Sequence, residues 1–224
     1  VNDTMLRRIN LFFGETSEYD ETKFISIHTS TVIKIIDLFS ENEKLKNHLE
    51  NITVCLDETN DVNNGILEMG FFEGKNNIDE TIVYNGPMVH VGNPYYKMTR
   101  STLKSNKDYD VINHSQIKIG FIPNRTFELV NKDNIEDSWI GQDKIVFRKM
   151  LPITGERTLT GCILPQNSIH TNGLISITFK SLKSLIELSA YSNTIVFDFL
   201  LKTIGASNLT DSRLKNFPFK DSEK

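Results

Sequence analysis

The spacing of apolar residues along the chain switches between the period of a helix and that of a strand, which predicts a mixed fold. Five apolar residues near the N-terminus share the spacing of one helix face: Val32, Ile33, Ile35, Ile36 and Phe39. Thr29 and Ser30 come just before them and can cap such a helix. A shorter, charged helix is expected over residues 43–49.

Shorter apolar runs, rich in β-branched and aromatic side chains, predict strands. These runs lie at residues 9–13, 24–28, 66–72, 82–84, 88–92, 117–122, 144–150, 158–164 and 174–179. Two more helices are expected at residues 181–191 and 194–204, with Gly205 ending the second. Residues 210–224 predict a polar tail. The expected fold class is α+β: mainly antiparallel strands, a helix near the N-terminus and a helical pair near the C-terminus.

The composition is that of a soluble globular protein, with 224 residues of which 38% are hydrophobic and 24% charged. No run approaches the roughly 20 apolar residues of a membrane-spanning helix, so no membrane partner is expected. Cys55 and Cys162 fit no disulfide or metal pattern, which favours a reduced, cytoplasmic protein. The chain begins at Val1 and not at Met, which is typical of an excised fragment.

Charge is divided unevenly along the chain, although the net charge is only −4. Residues 1–96 carry 7 Lys and Arg against 16 Asp and Glu, whereas residues 97–224 carry 18 against 13. Such asymmetry hints at a polyanionic partner. We therefore expect an acidic N-terminal lobe at residues 1–95 and a basic lobe at residues 96–224. A chance fluctuation in charge is the alternative.

Two basic stretches contain the residue types that contact phosphate oxygens. The first is interleaved with Ser, Thr and Asn and contains Lys97, Arg100, Lys104, Lys107, Lys118 and Arg125. The second contains Lys144, Arg148, Lys149, Arg157 and Lys180. A predicted turn at residues 154–158 would present Arg157 at a loop tip, where it could contact guanine or phosphate with two hydrogen bonds. A solvated basic face is the alternative interpretation.

Residues 93–96, Asn-Pro-Tyr-Tyr, form the motif with the most chemical content. Amino-methylating DNA enzymes place an Asn-Pro-Pro-Tyr or Asn-Pro-Pro-Phe loop after a strand, where it binds the amine of a flipped base. Here Tyr95 replaces the second Pro, and the chain contains no Gly-x-Gly for S-adenosylmethionine. We therefore expect a structural turn, with a catalytic loop as the alternative.

Other catalytic or metal chemistry is not indicated. The five histidines have no metal-ligand spacing, and His28 and His90 fall in predicted apolar strands, where core positions are expected. Two Glu-x-Lys pairs, at residues 21–23 and 73–75, are only the weakest part of a nuclease pattern. No Gly-x-Ser-x-Gly or phosphate-binding loop is present. The segment itself is predicted to be non-catalytic and to hold no metal or cofactor.

Five landmarks follow one another between residues 80 and 220. They are Val91-Gly-Asn-Pro-Tyr-Tyr-Lys-Met-Thr-Arg100, Lys107-Asp-Tyr-Asp-Val-Ile112, Phe147-Arg-Lys-Met150, Gly155-Glu-Arg-Thr-Leu-Thr-Gly-Cys-Ile-Leu-Pro165 and Ser192-Asn-Thr-Ile-Val-Phe-Asp-Phe-Leu-Leu-Lys-Thr-Ile-Gly205. In this order they resemble the C-terminal, target-recognition region of class I N6-adenine DNA methyltransferases. That family serves restriction–modification and phage defence, and it includes type IIG-like restriction enzymes whose methylase and nuclease share one chain. Residues 1–80 match it only loosely.

The resemblance implies a segment that binds double-stranded DNA and reads the target site, and that is not an enzyme in isolation. It implies a parent chain whose catalytic domain transfers a methyl group from S-adenosylmethionine to adenine N6, with endonuclease activity in some members. That catalytic domain is the second expected partner.

The candidate DNA-contacting residues combine the basic stretches with polar residues of predicted loops. Phosphate contacts are expected from Lys97, Arg100, Lys104, Arg125, Arg148 and Lys149. Base contacts are expected around Arg157, Thr158, Asn167, His170, Asn172 and Asn208. Two alternatives stay open: a catalytic fragment that uses residues 93–96, and a module whose acidic residues 1–80 dock the rest of the enzyme.

Overall fold

A computed structural model describes residues 3–13, 29–53, 56–74, 80–102, 108–131, 135, 137–152, 154–205 and 207–220. The helices are α1 (Asp3–Phe13), α2 (Ser30–Ser40), α3 (Asn60–Asn63), α4 (Asp137–Ile140), α5 (Leu182–Ser192), α6 (Ile195–Ile204) and α7 (Asp211–Lys215). The strands are β1 (Asn51–Thr53), β2 (Leu67–Phe72), β3 (Ile82–Tyr84), β4 (Lys97–Thr99), β5 (Tyr109–Val111), β6 (Arg125–Leu129), β7 (Lys144–Arg148), β8 (Gly161–Leu164), β9 (Ser168–His170) and β10 (Leu174–Thr178).

The central element is an antiparallel sheet with the strand order β1-β10-β7-β8. Ile177 of β10 lies opposite Ile145 of β7, and Val146 of β7 lies opposite Cys162 of β8. Every residue of β10 is buried, so both faces of this strand are covered. Successive side chains of a strand point to opposite faces, and the two faces of the sheet therefore have different partners.

One face of the sheet packs against the helices. Ile175 and Ile177 of β10 and Phe147 of β7 join apolar residues of α2, α5, α6 and α7 in one buried cluster. In α2 the contributing residues are Val32 and Ile36, four positions apart. Such spacing puts the apolar side chains of each helix on one side, and burying that side removes it from water.

The other face packs against loops and smaller sheets. Leu174 and Val146 belong to a second cluster with Tyr84 and Met88. β3 pairs with β9 in parallel, while β2 with β6 and β4 with β5 form antiparallel pairs. The loop between β3 and β4 is bonded to the central sheet. The N–H of Gly92 in this loop donates to the carbonyl oxygen of Gly161, the first residue of β8, at 2.9 Å.

The predicted fold class is confirmed, since the chain combines helices with antiparallel sheets and has helices near both ends. α2, α5 and α6 lie where the apolar spacing predicted helices, and Gly205 closes α6 with a φ of +68°. β2, β3, β7, β8 and β10 also lie within predicted strands. The helix expected at residues 43–49 is reduced to one 3-10 turn, Leu45–Asn47.

The strand predicted at residues 9–13 is wrong, because these residues belong to α1. The apolar residues of this segment recur at the three- and four-residue spacing of a helix face. Ile9 is buried accordingly. The strand predicted at residues 24–28, which includes His28, lies outside the described residues.

Two further strand predictions are wrong because glycine turns interrupt the apolar runs. At residues 88–92, the one-turn 3-10 helix Gly86–Met88 is followed by a tight turn at Gly92. At residues 117–122 the chain turns at Gly120, which has a φ of +78°, and Ile119 at the tip is 96% exposed.

The prediction of a polar tail at residues 210–224 is also wrong for residues 210–220, the part that the structure describes. Thr210 caps α7 by accepting a hydrogen bond from the N–H of Arg213 at 3.3 Å. Phe217 and Phe219 then enter the helix-facing cluster. In the sequence, these two phenylalanines on either side of Pro218 were the indication of a buried segment. Residues 221–224 lie outside the described residues.

The two halves of the chain share their sheets. β1 pairs with β10, β2 with β6 and β3 with β9, and each pair joins a strand before residue 95 to one after it. The expected boundary near residue 95 therefore does not coincide with a break in hydrogen bonding, and the acidic and basic parts fold together.

Gly161 is required by the packing of β8 on β7. A Cβ at this position would lie 2.3 Å from Cδ1 of Phe147 and 2.5 Å from the carbonyl oxygen of Val146. We expect Gly161→Ala to lower the free energy of unfolding by about 1–3 kcal/mol, because overpacking forces the buried strand to shift. In Gly70→Ala, the matched control, the added carbon lies 3.7 Å from its nearest neighbour. Urea denaturation measures both, and equal stability of the two variants would contradict this packing.

Candidate nucleic-acid interface

The loop between β3 and β4 is shaped by two tight turns. His90 and Asn93 exchange backbone hydrogen bonds of 2.9 and 3.0 Å around Gly92, which has a φ of +66°. The side-chain oxygen of Asn93 then accepts from the N–H of Tyr95 at 2.8 Å, which closes an Asx turn. The Asn93 amide nitrogen lies 3.2 Å from Nε2 of His114. The side-chain oxygen of Asn93 is thus bonded within its own turn, as in a structural role.

His90 and Tyr96 form a stacked pair of rings beside Lys97. The ring centroids are 4.5 Å apart with an angle of 28° between the planes. Nζ of Lys97 lies 4.9 Å from the Tyr96 centroid, within the range of a cation–π interaction. All three residues are half-buried. The prediction of His90 as a core residue is therefore wrong, since the strand expected around it is a turn.

Arg148, the last residue of β7, reaches this loop from the sheet. Its Nη2 donates to the carbonyl oxygens of Val89 and, at 3.4 Å, Pro87. Partial burial lowers the pKa of Arg148 from its usual value, but a guanidinium remains charged in proteins. The side chain therefore holds the loop against the sheet and keeps a positive charge next to it.

Arg157 lies on a turn that is anchored to α6. Its Nε forms an ion pair with the buried Asp198. Oδ1 of the same carboxylate accepts from the N–H groups of Thr158 at 3.0 Å and Leu159 at 2.8 Å. Asp198 also lies in the first turn of α6, where the helix dipole favours a negative charge. The turn that the sequence placed at a loop tip is therefore held by the helix, with the Arg157 side chain 26% exposed.

The positive charges of three predicted cations act on His90. Its pKa is lowered from the usual value, first by partial burial and then by the positive charges of Arg148, Lys97 and Arg157. We refer to His90, Tyr96, Lys97, Arg148 and Arg157 together as the His90 surface. The aromatic members were missed at the sequence level, although Tyr96 directly precedes Lys97 and such interleaving is typical of nucleic-acid-binding surfaces.

Arg100 and Lys104 do not belong to the His90 surface as described. Arg100 follows β4, and its Nε donates to Oδ1 of Asp110 on β5 at 2.6 Å, with both side chains 49% exposed. An exposed pair of this kind contributes little to stability, so Arg100 can exchange Asp110 for another anion. Lys104 lies outside the described residues.

Lys149 and Asn172 lie beside an acidic loop. Nδ2 of Asn172 donates to Oδ2 of Asp57 at 2.9 Å. The pKa of Asp57 is lowered, first by the backbone N–H groups of Asn60 and Thr59 and to a smaller extent by Asn172 and the charge of Lys149. Asn172 therefore contacts a carboxylate from the first half of the chain, and the positive charge of Lys149 acts on the same carboxylate.

Three predicted contact residues are buried, which corrects the expected interface. Arg125 is 1% exposed, and its Nη2 forms ion pairs with Glu80 and, at 3.1 Å, with Glu128. Thr158 and His170 are also fully buried. A side chain without solvent exposure does not touch a duplex, so these residues leave the candidate surface. Asn167 and Asn208, in contrast, are exposed.

The described part of the chain has neither a metal site nor a membrane-spanning helix. Within these ranges, no three or more His, Cys, Asp or Glu side chains are grouped so as to hold a metal ion, and no helix is long and apolar enough to cross a membrane. In comparisons with known proteins, no family model and no curated protein matches the chain. Function is therefore inferred from the residues of this chain and their geometry.

Burial of His170 makes the stability of the protein depend on pH. Loss of solvation lowers the pKa of His170 to about 4, although the contact of Nδ1 with the Thr171 carbonyl at 2.9 Å acts in the opposite direction. The unfolded chain binds a proton near pH 6.5, whereas the folded protein does so only near pH 4. The free energy of unfolding should therefore fall by about 3 kcal/mol as the pH decreases through this window.

Urea denaturation at a series of pH values measures this effect. His170→Gln should depend less steeply on pH than the unsubstituted protein, because it lacks the titrating ring. Gly161→Ala is the control for a destabilised protein that keeps His170, and its curve should run parallel to that of the unsubstituted protein. A parallel curve for His170→Gln would mean that this histidine is not the source of the pH dependence.

Proposed function

We propose that the protein binds double-stranded DNA through the His90 surface, as the target-recognition segment of an N6-adenine DNA methyltransferase. The observation that supports this most is a half-buried aromatic pair with the Lys97 ammonium over one ring and Arg148 bonded to the loop that carries the pair. Positive groups supply the salt-dependent attraction to phosphates that dominates DNA affinity. The proposed location of the protein is the cytoplasm.

Lys97 is the residue to which we assign phosphate contact first. Its ammonium lies over the Tyr96 ring, and a cation–π interaction at such a site contributes about 0.5–1 kcal/mol, which holds the charge at the surface. Arg157 is paired with Asp198, and Arg148 donates to two carbonyl oxygens. The two arginines therefore orient the loop and the turn that carry the surface, and they raise its positive potential.

Base reading is assigned to the exposed amides of Asn167 and Asn208. An Asn side chain can donate to and accept from the major-groove edge of adenine at the same time. Asn167 has a φ of +60° in the turn before β9, a conformation that Asn tolerates better than most residues. Arg100 and Lys149 would add phosphate contacts at the margins.

The reaction of the parent enzyme is assigned to its catalytic domain, which is the second proposed partner. S-adenosylmethionine and the flipped adenine would be held there. Asn93 forms the Asx turn of its own loop, and this favours a non-catalytic role for the segment itself.

A second candidate function is docking of another protein domain, favoured by the exposed apolar residues of α5 and α6. These residues, the candidate patch, are Leu182, Ile186, Tyr191, Ile195 and Val196. Exposed apolar patches mark interaction sites. If the catalytic domain docks here, Ile195→Lys should weaken its binding in a pull-down without changing DNA affinity, because Ile195 is 80% exposed and its replacement leaves the fold intact. Unchanged capture of the catalytic domain would exclude this patch.

Fluorescence anisotropy with a labelled duplex over a series of salt concentrations tests DNA binding. We expect affinity to fall steeply with salt, and Lys97→Gln to weaken binding and reduce the slope of log K against log salt by about 0.9, the value for one lost phosphate contact. Lys34→Gln removes the same charge from the exposed side of α2, in the helix layer, and should leave the slope unchanged. Affinity that is indifferent to salt, or equal losses in the two variants, would refute binding through the His90 surface.

A further inference from the structure

A cavity of about 170 Å³ with a partly polar lining lies on the face of the central sheet opposite α2, α5, α6 and α7. It is lined by residues of β1, β7, β9 and β10 and by Trp139 and Gln142. Several of the floor residues are polar and buried: Thr53, Lys144, Ser168, Ser176 and Thr178. We refer to this space as the polar cavity, and it is separate from the His90 surface.

The alternation of β10 creates the floor of the polar cavity. Ile175 and Ile177 point to the helices, so Ser176 and Thr178 point to the opposite face. Thr53 of β1 lies opposite Ser176 and adds a third hydroxyl to that face. A buried sheet face is normally apolar, and hydroxyl groups there need hydrogen-bond partners.

The hydroxyl groups of this floor are incompletely paired. Among the described residues, Oγ1 of Thr178 has no hydrogen-bond partner although the residue is only 7% exposed. Oγ of Ser176 has a contact of 3.4 Å with the Thr53 carbonyl, which is at the limit of a hydrogen bond. A buried hydroxyl without a partner destabilises a protein by about 1–3 kcal/mol. A ligand that pairs with Thr178 and Ser176 would remove this penalty on binding.

The lining also limits the charge of that ligand. Lys144 donates from Nζ to the carbonyl oxygens of Ser168, at 2.7 Å, and Trp139, so its cation is engaged by the protein. Glu50, an exposed acidic residue, belongs to the same lining. One positive and one negative group together do not select a strongly charged molecule such as phosphate.

The remaining lining groups suit a flat molecule with both donors and acceptors. Trp139, whose indole also packs against the neighbouring apolar cluster, is one of the lining residues, and so are Asn51 and Gln142, whose amides can each donate and accept. Asn and Gln amides pair in this way with the edge of adenine, and aromatic side chains stack on bases. The volume is many times that needed for one water molecule. We propose that the polar cavity binds a small neutral heteroaromatic molecule of the nucleobase class.

Trp139 provides a direct readout because it is the only tryptophan in the sequence. Adenine and cytosine are titrated separately into the full chain, with indole excited at the red edge of its absorption, where the bases do not absorb. We expect a saturable change in Trp139 emission with at least one base. Calorimetric titration of the same samples detects binding even if the emission is unaffected. Ribose and inorganic phosphate are the comparison probes.

Thr178→Val is the decisive variant, since it keeps the shape of the side chain and removes the unpaired hydroxyl. Base affinity should fall about three- to tenfold, the effect of one lost hydrogen bond, while the melting temperature should not decrease. Ser212→Ala, which removes an exposed hydroxyl on α7, should bind as the unsubstituted protein does. Absence of saturable base binding by both methods, unaltered affinity in Thr178→Val, or a response to ribose or phosphate in place of the bases would overturn the proposal. DNA binding through Lys97 is tested in a separate experiment. Either of the two proposals, DNA binding or base binding in the polar cavity, can therefore be refuted without affecting the other.

Discussion

Burial of β10 on both faces is the constraint on which the rest of the structure depends. Its edges pair with β1 and β7, while Ile175 and Ile177 carry the helix layer on one side. Leu174 contacts the loop-bearing layer on the other side. Elements from both ends of the chain therefore meet at a single strand, and this is why the acidic and basic parts fold as interleaved strands.

Buried charges hold the layers of this fold together. Arg125 pairs with Glu80, Asp198 pairs with Arg157 and accepts two N–H groups, and Lys144 donates to two carbonyl oxygens. A buried charge is tolerated only when it has such partners, and removing one partner is strongly destabilising. The interior thus contains Arg125 and Lys144, two cations of the basic stretches in which the sequence predicted DNA contacts, and the candidate surface is correspondingly smaller.

The loop that carries the His90 surface is also held by hydrogen bonds to polar and charged side chains. Arg148 links it to β7 through backbone carbonyl oxygens, and Asn93 closes its turn with its own side chain. The loop is therefore positioned by polar contacts from the sheet and not by a strand of its own. This arrangement presents Tyr96 and Lys97 together, with the Lys97 charge held beside an aromatic ring, and the proposed DNA-binding role rests on that pairing.

The sequence by itself determined the fold class and the elements whose residues repeat locally: the face of α2, the end of α6 at Gly205, and the strands β2, β7 and β10. Only the tertiary structure decided which polar residues are exposed. Arg148 and Lys149 are neighbours in the chain, yet Arg148 supports the aromatic loop whereas the charge of Lys149 acts on Asp57. Arg125, His170 and the hydroxyls of β10 are enclosed by segments distant in sequence. Spacing along the chain reports local conformation, whereas burial depends on which distant segments pack together.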